Sequence, residues 1–162
     1  MLGVAQKRHF AQWLRDVNHT AAVKFVISSV PVTTGWTNYD SSQDTWRGYP
    51  TERAEILNMT QYVPNLFFLS GDRHEMAAVE LPSGNIEFST SPVSQFTFPL
   101  VSRFKRDQDG EHTLHFRQRG HVKYGILDVD TETDPAVPRI TYSLYTTDAH
   151  SGKRPVWVYE AK

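Results

Sequence analysis

Residues 66–75 read Leu66-Phe67-Phe68-Leu69-Ser70-Gly71-Asp72-Arg73-His74-Glu75. An apolar run stops at Ser70-Gly71 and delivers Asp72 and His74 two positions apart. A short apolar run bounded by turn residues is the pattern of a buried strand. In extended backbone, residues i and i+2 point the same way. If the chain stays extended past Gly71, a carboxylate and an imidazole converge just beyond that strand. In open α/β sheets, ligands bind at the carboxyl ends of strands. Asp and His together suit a borderline-to-hard metal ion able to activate water.

Working outward, Phe10, Trp13, Leu14 and Val17 recur with helical spacing, which predicts an amphipathic helix over residues 4–18. Residues 23–30 are β-rich and end at Pro31. A long loop follows to Pro50, offering Trp36, Asp40, Asp44, Trp46, Arg47 and Tyr49. Its length is near the limit for a compact domain unless it carries function. Pro50-Thr51-Glu52-Arg53 opens a second helix that Pro64 limits. Helix, strand, helix, strand predicts a βαβ crossover with parallel strands. Both the long loop and Asp72 then lie at one edge of the sheet.

The second half reads differently. Residues 76–81 and 85–90 flank Pro82-Ser83-Gly84-Asn85, a hairpin pattern. Runs near 112–118, 122–129, 138–147 and 155–159 are also β-like and antiparallel in character. The fold class is therefore α/β, with two helices followed by a mostly antiparallel, β-rich C-terminal half.

Composition narrows the function classes. The chain has 162 residues, 39% hydrophobic and 22% charged, enough for one domain with a core. A net charge of −1 gives no global attraction to nucleic acid or anionic membrane. Cysteine is absent, which excludes disulfides, cysteine-type zinc sites and thiol nucleophiles. No apolar run approaches a membrane span. The first residues lack the apolar segment of a signal peptide. Asn18 and Asn58 stand in Asn-x-Thr sequons, relevant only in a secretory pathway. No Gly-x-Ser-x-Gly occurs, so serine nucleophile chemistry is disfavoured.

A resemblance emerges from several segments in order. Gly3, Gln6 and Trp13-Leu14 come first, then Ser29-Val30-Pro31. Asp44-Thr45-Trp46-Arg47-Gly48-Tyr49 with Glu52-Arg53 follow, then Leu69-Ser70-Gly71-Asp72-Arg73-His74. The last are Glu87-Phe88-Ser89-Thr90-Ser91-Pro92 and the stretch from Gly120 to Tyr124-Gly125. Together these resemble the PhoD-like alkaline phosphatases, within the calcineurin-like metallophosphoesterase superfamily. The resemblance implies part of an α/β/β/α sandwich and a single, partial domain over residues 1–162. It implies hydrolysis of phosphate esters by metal-activated water, with a dinuclear centre of divalent or trivalent ions. The substrates it implies are small phosphate esters or lipid-like ones.

Gly71-Asp72-Arg73-His74 looks like the family's last ligand motif, with Asp72 where a histidine is usual. The resemblance thus makes Asp72 and His74 metal ligands and Asp44 a further acidic candidate. Arg73 and Arg47 become candidates for holding phosphate bidentately. No other catalytic residue is assigned. The superfamily's earlier ligand motifs are absent from this sequence. The chain therefore corresponds to the C-terminal half of the family's domain, weak or inactive without its N-terminal counterpart. Family members are often exported.

Each residue also has a plainer reading. On spacing alone, Asp72 and His74 are a Gly-Asp turn with a solvated histidine. Asp44 suits a turn cap, and Arg47 and Arg73 suit an ordinary surface. Glu52 and Arg53 read as a helix N-terminal charge and a structural ion pair. Trp46 and Tyr49 read as loop packing. His9, His19, His112, His115, His121 and His150 all read as solvated. The alternative function is a non-catalytic remnant or interaction module.

Overall fold

The computed structural model describes residues 1–37, 41–91, 93, 103–134, 137–149 and 152–161. Asp40, Pro92 and His150, singled out above, lie outside these residues.

Helix α1 spans Gly3–Val17. Its apolar stripe turns Leu14 into the core, with Phe10 and Trp13 packed beside it. Strand β1 is Lys24–Ser28. The long loop is only partly irregular. It contains a one-turn helix α2, Ser41–Asp44, and a 3-10 turn, Trp46–Gly48. Helix α3, Pro50–Thr60, begins with proline at its first position, where the missing N–H costs nothing. It buries Arg53, Ile56, Leu57 and Thr60.

Strand β2, Leu66–Ser70, pairs in parallel with β1, as the crossover pattern predicts. Strands β3, Met76–Glu80, and β4, Ile86–Thr90, form the expected hairpin. Strand β4 returns beside β2, in parallel, and β5, His112–Arg117, pairs with β3. The first sheet is therefore mixed, in the order β1-β2-β4-β3-β5. Strands β6, Lys123–Asp130, β7, Arg139–Thr146, and β8, Trp157–Ala161, form a second, antiparallel sheet.

Two cores result. Leu66 and Phe68 of β2 face α1, α3 and the loop tryptophans, together with Ala77, Val79 and Leu81. Phe67, on the opposite face, packs with Met76, Ala78 and Phe88 against Ile140, Tyr142 and Leu144 of the second sheet. Burial on both faces explains why β2 reads as a continuous apolar run. Fully burying a residue such as Phe68 contributes about 1.5–3 kcal/mol. The ring of Phe88 lies 4.0 Å from that of Tyr142, nearly parallel to it. Gly125 makes room for this pair, since a Cβ there would fall 2.1 Å from the Tyr142 oxygen.

Of the four layers the resemblance implies, the described residues build three: helices, mixed sheet and antiparallel sheet. Ile126 and Val158 stand exposed on the second sheet. His115 corrects the expectation of a solvated side chain. It pairs in register with Ala78, which faces the second sheet, and stacks on Trp157 at 4.9 Å. Burial pushes its pKa down. His9, His19, His112 and His121 are exposed as expected.

Candidate functional site

The parallel pairs β1–β2 and β2–β4 place three carboxyl ends along one edge of the first sheet. Residues 31–37 leave that edge after β1, residues 71–75 leave it after β2, and Ser91 follows β4.

The turn after β2 does not stay extended, so the alternation expected of Asp72 and His74 does not hold. Asp72 has φ +75° and His74 has φ +58°, both left-handed. Non-glycine residues in that region cost roughly 1–2 kcal/mol each. Such conformations persist where the surroundings over-determine them, and they cluster at functional sites. Here the constraints are visible. The Arg73 N–H donates to the Gly71 carbonyl at 3.0 Å. The His74 N–H donates to Ser91 Oγ at 2.9 Å. Lys123 Nζ, on the second sheet, donates to the His74 carbonyl at 3.1 Å. Trp36 Nε1 donates to the buried Glu75 carboxylate at 2.6 Å.

Asp72 keeps about a third of its side-chain surface in solvent. Arg73 is almost buried and lies 3.5 Å from Asp72 Oδ2, so the two charges offset each other. Asp44 ends α2 and is exposed. Arg47 NH1 donates to the Thr34 carbonyl and so braces the loop. Trp46 is buried, its Nε1 bonded to Ser28 Oγ at 3.2 Å, whereas Tyr49 is largely exposed. Glu52 and Arg53 part company. Glu52 lies in the first turn of α3, and Arg53 pairs with buried Glu111 at 2.5 Å.

Behind the turn lies a polar core that the sequence reading missed. Glu87 on β4 is wholly buried and accepts from Val32 N at 2.8 Å, Thr33 N at 2.7 Å and Ser70 Oγ at 2.6 Å. Burial pushes its carboxyl up to about 7, against the pull of those donors, and nearby Glu111 adds to the rise. Glu111 accepts from Thr34 N at 2.8 Å and from the Thr33 hydroxyl. Its pKa is raised by burial and partly restored by Thr33, Thr34 and Arg53. Arg53 Nε closes the network on the Val32 carbonyl at 2.6 Å. Lys123 is fully buried, and burial lowers its pKa to about 8. Alternation in Ile86-Glu87-Phe88-Ser89 suggests a wet face for Glu87. Helices and loop cover that face, so the signal misleads.

A metal is the group this arrangement must be tested against. A catalytic zinc takes about three protein donors and a structural one about four. Asp72 and His74 supply two, in a turn where Asp72 already faces Arg73. Among the described residues no group of three or more His, Cys, Asp or Glu is placed to hold an ion. The described donors do not by themselves fit a metal centre.

The architecture is that of an α/β protein with a mixed sheet backed by an antiparallel one, and with its polar turns gathered at one sheet edge. The profile of the PhoD-like phosphatases matches residues 1–137, most of the chain, and the chain belongs to that family. Among solved structures, GAP50, the anchor in the inner membrane complex of Plasmodium, superposes with a TM-score of 0.68 at 9% identity. That match covers 98% of this chain and 42% of GAP50. A structure of PhoD superposes with a TM-score of 0.50 at 18% identity, covering 99% of this chain and 35% of PhoD. The chain thus spans well under half the length of these two structures. At such identities the likeness shows the fold alone. No curated protein matches the sequence.

Proposed function

We propose that this chain carries one part of a phosphate-ester hydrolysing site of the PhoD-like, calcineurin-like kind. Asp72 and His74 are its contribution of metal ligands, Asp44 a further acidic group, and Arg47 and Arg73 the groups nearest to phosphate charge. The observation that carries this reading is the turn itself. Two non-glycine residues are held left-handed at the carboxyl edge of a parallel strand, by bonds from Ser91 just after β4 and from β6, and by a side chain after β1. Such strain is unusual in a plain connection.

The remaining donors belong to a part of the domain outside these residues. Strand β1 supports that view, because among the described residues nothing pairs with its outer edge, and Ile27 on it is 80% exposed. A sheet edge left bare is a pairing site. The substrate class is a small or lipid-like phosphate ester, and the ions are divalent or trivalent metals. Metal analysis of the purified protein, with phosphomonoester and phosphodiester hydrolysis assays, tests the reading. Metal binding that His74→Ala weakens is expected, with turnover weak or absent until the remaining donors are supplied. Equal metal affinity in the unaltered protein and His74→Ala, or no metal binding by either, would overturn it.

A second reading has its own support. The incomplete donor set and the Asp72–Arg73 pairing favour a non-catalytic interaction module, and the anchor GAP50 shares the fold. Absence of metal and turnover would favour that reading.

A further inference from the structure

We propose that Lys123 is a positioning residue that sets the conformation of the 72–74 turn from the second sheet; the functional weight of this inference rests on the turn being the site proposed above. Lys123 opens β6, yet its side chain is fully buried. An ammonium has three donors and no acceptor. Two of these donors go to main-chain carbonyls, His74 at 3.1 Å and Gly120 at 2.7 Å. Among the described residues no carboxylate lies in ion-pair contact with it. The charges of Glu75 and Asp148 favour the ammonium, and Arg117 opposes them.

Burying a charge on neutral carbonyls is a costly way to fill space. A methionine would fill it without that cost. What lysine adds is direction, because it ties the peptide after His74 to the strand start of the other sheet. Gly120 serves the same geometry. It holds φ +122°, and a Cβ there would meet Asp148 Oδ1 at 2.9 Å and Thr146 at 3.1 Å. Only glycine lets the chain pass this close and still present its carbonyl to Lys123. The turn is therefore clamped at successive peptides. Ser91, just beyond β4 of the first sheet, holds the His74 N–H, and Lys123 of the second sheet holds the His74 carbonyl. A left-handed histidine needs such a clamp.

The test is hydrogen-exchange and imidazole NMR on the whole chain, comparing the unaltered protein with Lys123→Met and Lys123→Gln. In Lys123→Met the amides of residues 73–75 are expected to exchange about tenfold faster or more, the effect of losing one charged hydrogen bond. The His74 imidazole signals shift, while the β6–β7 ladder keeps its protection. Lys123→Gln, which retains donors, restores part of both effects. Unchanged exchange and unchanged His74 signals would overturn the proposal, and so would uniform loss of protection along β6. Where neither variant folds, the unaltered protein decides. A slowly exchanging Lys123 ammonium signal with cross-peaks to His74 is expected, and a rapidly exchanging one without them overturns the proposal. None of these readouts needs metal or turnover, so a failure of the hydrolysis assay leaves this test independent.

Discussion

Residues 31–37 and residues 71–75 leave the same edge of one sheet, after the parallel strands β1 and β2. They are stabilised in opposite ways. The first segment is almost wholly buried, and its peptides are bonded to Glu87, Glu111, Arg47 and Arg53. The second keeps Asp72 in solvent and carries two left-handed residues. One segment spends its charged groups on the fold. The other holds strained backbone around an aspartate that stays in solvent. Carboxylates of the same chemistry thus serve structure at Glu87 and Glu111 and remain available at Asp72. Burial and donor count, not residue type, separate the two uses.

The largest predicted effect lies in the buried segment. Glu111→Ala leaves the Arg53 guanidinium buried without its carboxylate. Breaking one side of such a pair costs about 3–5 kcal/mol. In a chain of this size that lowers the melting temperature by roughly 10 °C or more. Urea or thermal unfolding measures it. A loss below about 1 kcal/mol would break the contrast drawn between the two segments.

Next comes the pH dependence of stability. The Glu87 carboxyl rises from 4.5 to about 7 on folding, so the folded state holds its proton where the unfolded state has lost it. Stability from this group is therefore present below pH 4.5 and is lost as pH rises toward 7. A shift of that size corresponds to about 3 kcal/mol. Lys123 acts in the other sense. Its folded value of about 8 lies below 10.5, so stability is regained between those values. Unfolding midpoints across pH should show a minimum near pH 7–8. Glu87→Gln should flatten the acid limb, and an unchanged acid limb in that variant would assign the effect elsewhere.

Smaller effects are expected in the strained turn. Asp72→Gly and His74→Gly relieve left-handed strain but lose side-chain contacts. Each should leave stability unchanged or raise it by up to about 1 kcal/mol. A loss above about 2 kcal/mol in either would show that the turn is structural, like its neighbour. Asp44→Ala is the smallest. Exposed at the end of α2, it should change stability by less than about 0.5 kcal/mol.

Much of the fold is legible in the sequence where periodicity has one meaning. Leu14 and its neighbours mark α1, Pro50 marks the start of α3, and Ser83-Gly84-Asn85 mark the β3–β4 turn. The apolar run at 66–69 marks a strand covered on both faces. The polar core was not legible, because alternation in β4 assigns Glu87 to solvent. Its burial depends on a loop and a helix packing over that face. His115 misled for a related reason, since the second sheet supplies Trp157 to stack on it. At the turn, Gly71-Asp72-Arg73-His74 marks out the candidate residues. Its conformation depends on Ser91 and Lys123, 17 and 49 residues away, which no local pattern encodes.

The most direct test pairs metal binding with stability in one variant. The account predicts that His74→Gly lowers metal affinity by at least the roughly 10–100-fold that loss of a supporting group alone would cost, at undiminished unfolding free energy. Equal metal affinity in the variant and the unaltered protein, or no metal binding by either, would contradict the claim that this turn is where the chain contributes to the site.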